Sequence, residues 1–148
     1  MNEYDIRVDD AIIGQHGIRW NSQGGIDGTI TVGETGIVQG YDFGEAIIVD
    51  PAPDNSSGRF SLFNAGEISS ATDRTVYLGN QFRANVENTG LIQSGAGNAV
   101  QFDLTINAKV TNTGTIATSS SISPAILCNK DPDPGLLGSG PIDLVWRA

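Results

Sequence analysis

A single cysteine, Cys128, excludes an intrachain disulfide and any zinc site of the cysteine-rich kind. One histidine, His16, leaves no Cys/His ligand set, and Ser-His-Asp chemistry would hang on that one residue near the N-terminus. Positive charge is scarce: eight Lys and Arg against seventeen Asp and Glu give a formal net charge of -9. Such a surface repels phosphate backbones, so no nucleic-acid partner is expected. No apolar run approaches the roughly 20 residues of a bilayer-spanning helix, so no membrane span is expected. The first residues show no basic segment followed by an apolar one, and no secretory signal is read there. Apolar residues never recur at helical spacing over any length. Short apolar runs are broken instead by nineteen glycines and many Asn, Ser and Thr, the texture of an all-β chain with frequent tight corners.

What is present is a repeat. Val/Leu-x-Asn-x-Gly-x-Ile occurs at Leu62–Ile68, Val86–Ile92 and Val110–Ile116, and a degenerate copy, Val32–Val38, carries Glu34 in place of Asn. The glycines of these copies, Gly36, Gly66, Gly90 and Gly114, fall 30, 24 and 24 residues apart. That is the spacing of a solenoid with one coil per repeat. A second landmark, Ala/Thr followed by Ile/Val, recurs as Ala11-Ile12, Ala46-Ile47, Thr75-Val76, Ala99-Val100 and Ala125-Ile126. Its period matches the first.

Side chains alternate faces along a strand. Stepping back by twos from each corner glycine gives an inward column Val32, Leu62, Val86, Val110 and a second, Ile30, Phe60, Ala84, Ala108. Two residues past the glycine stand Val38, Ile68, Ile92 and Ile116. The intervening positions, among them Ser61, Asn85, Lys109, Arg59 and Arg83, are polar. Each coil therefore contributes one layer of a continuous core, at roughly 1.5–3 kcal/mol for each buried Ile, Val or Leu. Asn64, Asn88 and Asn112 share the inward parity. A stacked column resolves that conflict, each carboxamide bonding the next, with Glu34 breaking the first rung and the following Gly freeing the backbone for the corner.

The Gly97–Phe102 and Val110–Ile116 stretches together resemble the right-handed parallel β-helix repeats of bacterial autotransporter passengers and filamentous haemagglutinin-type adhesins, over roughly residues 40–130. The fold expected is a single all-β domain over residues 1–148, a right-handed parallel β-helix of about five irregular coils. Residues 1–27 read as an N-terminal cap with the first coil. Residues 131–148, where Pro132, Pro134 and Pro141 interrupt the pattern, read as a C-terminal cap. The resemblance implies a surface or adhesive role at a cell surface, in secreted form or on a virion, with glycans or a surface assembly as partners.

Residues able to carry chemistry are few. Asp50 and Asp103 fall in one outward column (Gln15, Asp50, Gly79, Asp103, Asn129) two coils apart, about 10 Å. Carboxylates at that separation suit an inverting polysaccharide hydrolase, and related β-helical scaffolds serve lyases; no aligned Arg or Lys accompanies them. This is the alternative to a non-enzymatic module. Asp9-Asp10 and Asp131-Pro132-Asp133 are paired carboxylates of a kind calcium accepts, yet solvated turns account for them; neither a metal nor a cofactor is expected. His16 reads as an exposed loop residue and Cys128 as a core thiol.

The position after each Ala-Ile landmark should face solvent, yet it reads Ile13, Ile48, Tyr77, Gln101, Leu127, beside a small outward column Ala11, Ala46, Thr75, Ala99, Ala125. An apolar stripe of this kind marks an interface, unless a segment of the same chain covers it. The reading taken is a structural or binding module that forms a homo-oligomer, a trimer for choice, through Ile13, Ile48, Tyr77 and Leu127.

Overall fold

The computed structural model describes residues 3–21, 27–50, 58–79, 83–103, 105, 107–129 and 142–146. They form five three-strand coils and one strand of a sixth. The first coil is β1 (Glu3–Val8), β2 (Ala11–Gly14) and β3 (Ile18–Asn21); the second is β4 (Asp27–Val32), β5 (Ile37–Gly40) and β6 (Ile47–Asp50). The third is β7 (Arg59–Asn64), β8 (Glu67–Ser70) and β9 (Val76–Gly79); the fourth is β10 (Arg83–Asn88), β11 (Leu91–Ser94) and β12 (Val100–Asp103). The fifth is β13 (Asn107–Asn112), β14 (Thr115–Thr118) and β15 (Ile126–Asn129), followed by β16 (Ile142–Trp146). Equivalent strands stack into three parallel sheets, β1-β4-β7-β10-β13-β16, β2-β5-β8-β11-β14 and β3-β6-β9-β12-β15. The chain is thus a parallel β-solenoid, as the repeat predicts. No helix among the described residues is long and apolar enough to cross a membrane.

The inward columns fill the tube. Ile30, Leu62, Val86 and Val110 line the first sheet, Val38, Ile68 and Ile92 the second, and Val49, Leu78 and Phe102 the third, all buried. Sizes are matched across the tube: the Trp20 indole packs where any side chain on Gly28 would collide with it, and it meets Phe60 edge-on with ring centroids 6.4 Å apart. Cys128 continues the third column in register with Phe102 and is partly buried against the core. In β16, Ile142, Leu144 and Trp146 fall in register with Ala108, Val110 and Asn112. Most of the expected C-terminal cap lies outside the described residues.

The Asn column is a hydrogen-bonded ladder. Asn64 Nδ2 donates to Asn88 Oδ1 and Asn88 Nδ2 to Asn112 Oδ1, each at 2.7 Å. The same amide groups donate to the carbonyls of Gly66, Gly90 and Gly114 at 3.3, 3.1 and 3.0 Å, tying each rung to its own corner. The ladder has the three members that the repeat predicts, and it ends at Asn64 for a reason other than Glu34. Val32 sits opposite Asn64 and Ile30 opposite Leu62, so the first copy is offset by two residues from the alignment on its glycine. Two extra residues make a turn closed by Gly36 N–H donating to the Gly33 carbonyl at 2.9 Å, and Glu34 stands exposed upon it. Above Val32, Asn64 Oδ1 is buried with no donor among the described residues.

The corner glycines serve proximity rather than unusual backbone angles. A Cβ on Gly66, Gly90 or Gly114 would collide with the backbone carbonyl of the glycine one coil below. Backbone bonds run through these corners too: Leu91 N–H donates to Gly66 O at 2.9 Å and Thr115 N–H to Gly90 O at 2.8 Å. A second polar stack, unnoticed in the repeat, holds the next corner. The hydroxyls of Ser70, Ser94 and Thr118 donate to carbonyls of Gly44, Asp73 and Gly97 at 2.9, 2.8 and 2.7 Å. Ser70 and Ser94 also accept from the N–H three residues on.

Replacing the middle rung, Asn88→Ala, takes the donor from the Asn112 carbonyl oxygen and one acceptor from the Asn64 amide, and should cost about 1–3 kcal/mol in urea-unfolding free energy. Gly90→Ala should lose a comparable amount, about 1–3 kcal/mol, because the obstructing neighbour is backbone. Unchanged midpoints in both variants would show that neither the ladder nor the close coil approach matters.

Candidate functional site

The outer face of the third sheet concentrates the residues singled out for function. Its central column is Arg19, Ile48, Tyr77, Gln101 and Leu127, in continuous register. Ile13 is not in it. Ala11-Ile12 belongs to the second sheet, with Ile12 opposite Val38 and Ile13 opposite Gln39, and the true first-coil landmark is Gly17-Ile18. Ile13 is 60% exposed on that other face. Nor does the small column point outward: Ala46, Thr75 and Ala99 are wholly buried. Counting by twos fails there because the chain turns a corner just before each strand, which resets the parity. Ile48, Tyr77 and Leu127 remain aligned and half-buried, flanked by Arg19 at one end and interrupted by Gln101, itself buried.

Beside this column run the two candidate carboxylates, each engaged by its own chain. The first-coil member of their column is Asn21 rather than Gln15. Asp50, expected without a basic neighbour, takes both arms of the Arg19 guanidinium, Nε to Oδ2 at 2.7 Å and Nη2 to Oδ1 at 3.2 Å. That hydrogen bond, with the opposite charge, raises the Arg19 pKa. Asp103 accepts from Gln101 Nε2 on both oxygens at 3.1 Å and from Asn129 Nδ2 at 2.6 Å. Gly79 lies between the two carboxylates' coils, opposite Asp103.

Tyr77 ties the face together. Its phenol is pushed up to about 12, first by burial, then by the charge of Asp103 and a hydrogen bond to that carboxylate, with Arg74 opposing. The Arg74 guanidinium lies 4.3 Å from the centre of the Tyr77 ring, a cation–π contact. Arg74 also donates from Nη2 to Glu45 Oε1 at 2.6 Å. Glu45 is the sole charged member of the buried set among the described residues, 4% exposed, and its other oxygen lies 3.2 Å from His16 Nδ1. His16 therefore packs against the Glu45 carboxylate and is not an exposed loop residue. Sequence reasoning missed Glu45 because it lies in a corner, where alternation carries no information. The same corner holds Asp42 and Phe43 at positive φ, 51° and 66°, which costs on the order of 1–3 kcal/mol each. Phe43 N–H donates to Thr72 Oγ1 at 2.8 Å, and its ring is 79% exposed.

The remaining acidic pairs divide. Asp9 binds Arg7 Nε at 2.6 Å and Asp10 Oδ1 accepts from Ala11 N–H at 2.9 Å, whereas Asp131 and Asp133 lie outside the described residues. Among the described residues no three His, Cys, Asp or Glu side chains converge as a metal site. No protein-family model matches the chain, and no curated protein or solved structure matches it.

The Tyr77 environment has a pH consequence. A phenol raised to about 12 in the fold from an ordinary value near 10 contributes stability below pH ~10 that is lost as pH climbs through 12. Absorbance titration should show one phenol ionising near 12, absent from Tyr77→Phe, and the variant should lose less stability over that alkaline range. A Tyr77 phenol that ionises near the ordinary value of about 10 would contradict this environment.

Proposed function

We propose that the chain is a non-enzymatic structural or binding module of a bacterial or phage surface assembly. On this reading it works at a cell surface, in secreted form or on a virion, and joins copies of itself through the outer face of the third sheet. The observation that carries the reading is the aligned apolar column of Ile48, Tyr77 and Leu127 at positions facing away from the tube. The Asn-x-Gly corner repeat adds its resemblance to autotransporter passengers and filamentous haemagglutinin-type adhesins. Cyclic association about an axis parallel to the solenoid brings equivalent columns together and leaves no sticky face, and a trimer suits a fibre-like assembly. A polysaccharide hydrolase would need Asp50 and Asp103 at liberty. Asp50 is clamped by Arg19, and Asp103 by Gln101, Asn129 and Tyr77, so hydrolysis is the less favoured use of this face.

Light scattering at high protein concentration should give a mass that is a multiple of the 15.5 kDa chain. Replacing Ile48 and Leu127 together by Glu should yield a monomer with unchanged β-sheet circular dichroism. A monomeric wild-type protein defeats the self-association. Collapse of the fold in the double variant would mean that the column is covered by the chain itself.

A further inference from the structure

The scarce positive charges of this chain are distributed in a way that its net charge of -9 does not suggest. Of the described cations, Arg7, Arg19 and Arg74 each bind a carboxylate. The other three, Arg59, Arg83 and Lys109, gather on the outer face of the first sheet around a groove of about 330 Å³ shared with Ser61 and Asn85. None of these three side chains has an ion-pair or hydrogen-bond partner among the described residues; the Arg59 contact to Asp27 uses its backbone N–H. Arg83 lies directly opposite Arg59, and Asn85 sits between Ser61 and Lys109 in the next column. Like charges facing each other across one strand spacing, about 4.8 Å, destabilise a sheet. An acidic protein that leaves its unpaired cations stacked in this way is arranged for an anion from outside.

From this arrangement we infer that the first sheet carries a binding site for the carboxylate of an acidic oligosaccharide. Two stacked guanidiniums offer paired donors of the geometry that carboxylates accept, and the Lys109 ammonium adds a third point of charge. The rest of the face suits a sugar. Asn85 Oδ1 has no donor among the described residues, although its Nδ2 donates to Glu87 Oε1 at 3.0 Å; a hydroxyl of a ligand in the groove that Asn85 lines supplies one. Two residues further along the same strands, Phe63 faces outward, half exposed, within a second groove of about 550 Å³ that Thr31 and Thr89 also line. Arg59 and Phe63 are four residues apart, about 13 Å, so a short oligosaccharide lying along the strands sets its carboxylate on the arginines and an apolar sugar face on the ring. Glu34 and Glu87 border the second groove and oppose a ligand with a charge at every step, which disfavours nucleic acid and favours a sparsely charged chain.

The inference rests on the binding-module reading but concerns a different face, so the two fail separately: a monomer that binds the sugar defeats only self-association. The test is calorimetric titration of the full chain with a short xylo-oligosaccharide carrying a single glucuronic acid, the same xylo-oligosaccharide without the glucuronic acid, and a single-stranded DNA oligonucleotide. Binding of the glucuronic acid-bearing sugar alone is expected, weakening with added salt. Arg59→Gln with Arg83→Gln should weaken it at least about tenfold, as expected for lost charge-assisted hydrogen bonds. Phe63→Ala should weaken it by a smaller factor. These side chains point away from the core, and an unchanged melting temperature checks that the variants fold. No binding of the glucuronic acid-bearing sugar, equal binding of the neutral sugar, tighter binding of the DNA, or full binding by the double arginine variant each overturns the site.

Discussion

Everything in this structure depends on one constraint: each coil must hydrogen-bond to the coil below along its strands and through its first two corners. A single coil has no core of its own, so its apolar residues are buried only if the next coil repeats them at the same place. The sheets meet that demand through register, with Val86 between Leu62 and Val110 and Ile92 between Ile68 and Ile116. Corners are harder, since a turning chain exposes polar backbone inside the tube. The Asn ladder answers at the first corner and the Ser70, Ser94, Thr118 stack at the second. The corner glycines follow from the same demand, because coils that bond through their corners leave no room there for a Cβ.

This also explains which parts of the fold were legible in the sequence. From Arg59 to Thr118 equivalent corners keep the same lengths, so stepping by twos gave the right inward columns and the right ladder residues. Across residues 33–36 the turn gains two residues, and the count slid, setting Val32 against Leu62 when its neighbour is Asn64. The first coil misled in another way. Ala11-Ile12 has the look of the third-sheet landmark but forms the second sheet, while Gly17-Ile18 carries the landmark without its alanine. Local pattern names a strand; only its partner above says which sheet it joins.

The candidate sites were less legible because they depend on which columns lie side by side. Asp50 and Asp103 fell in the correct column, but Arg19 was never set beside Asp50, since the first coil was out of register. Glu45 could not be found by alternation, lying in a corner and reaching His16 and Arg74 only through the stacking of coils. Arg59, Arg83 and Lys109 were legible as outward polar positions. Their significance appears only in the contrast with Arg7, Arg19 and Arg74, which all have carboxylate partners. The outer faces of the tube thus differ in kind: the third sheet presents an apolar column bounded by paired charges, the first a cluster of cations with no carboxylate partner among the described residues.

The stacking account is tested most directly by the exchange of side-chain amide protons with solvent, followed residue by residue by NMR. Asn64 and Asn88 donate to the next rung inside the tube, so their carboxamide protons should persist as long as the slowest backbone amides of β7 and β10, opening only with global unfolding. Exchange at the rate of an exposed asparagine, while those backbone amides stay protected, would contradict the claim that the corners are held from within.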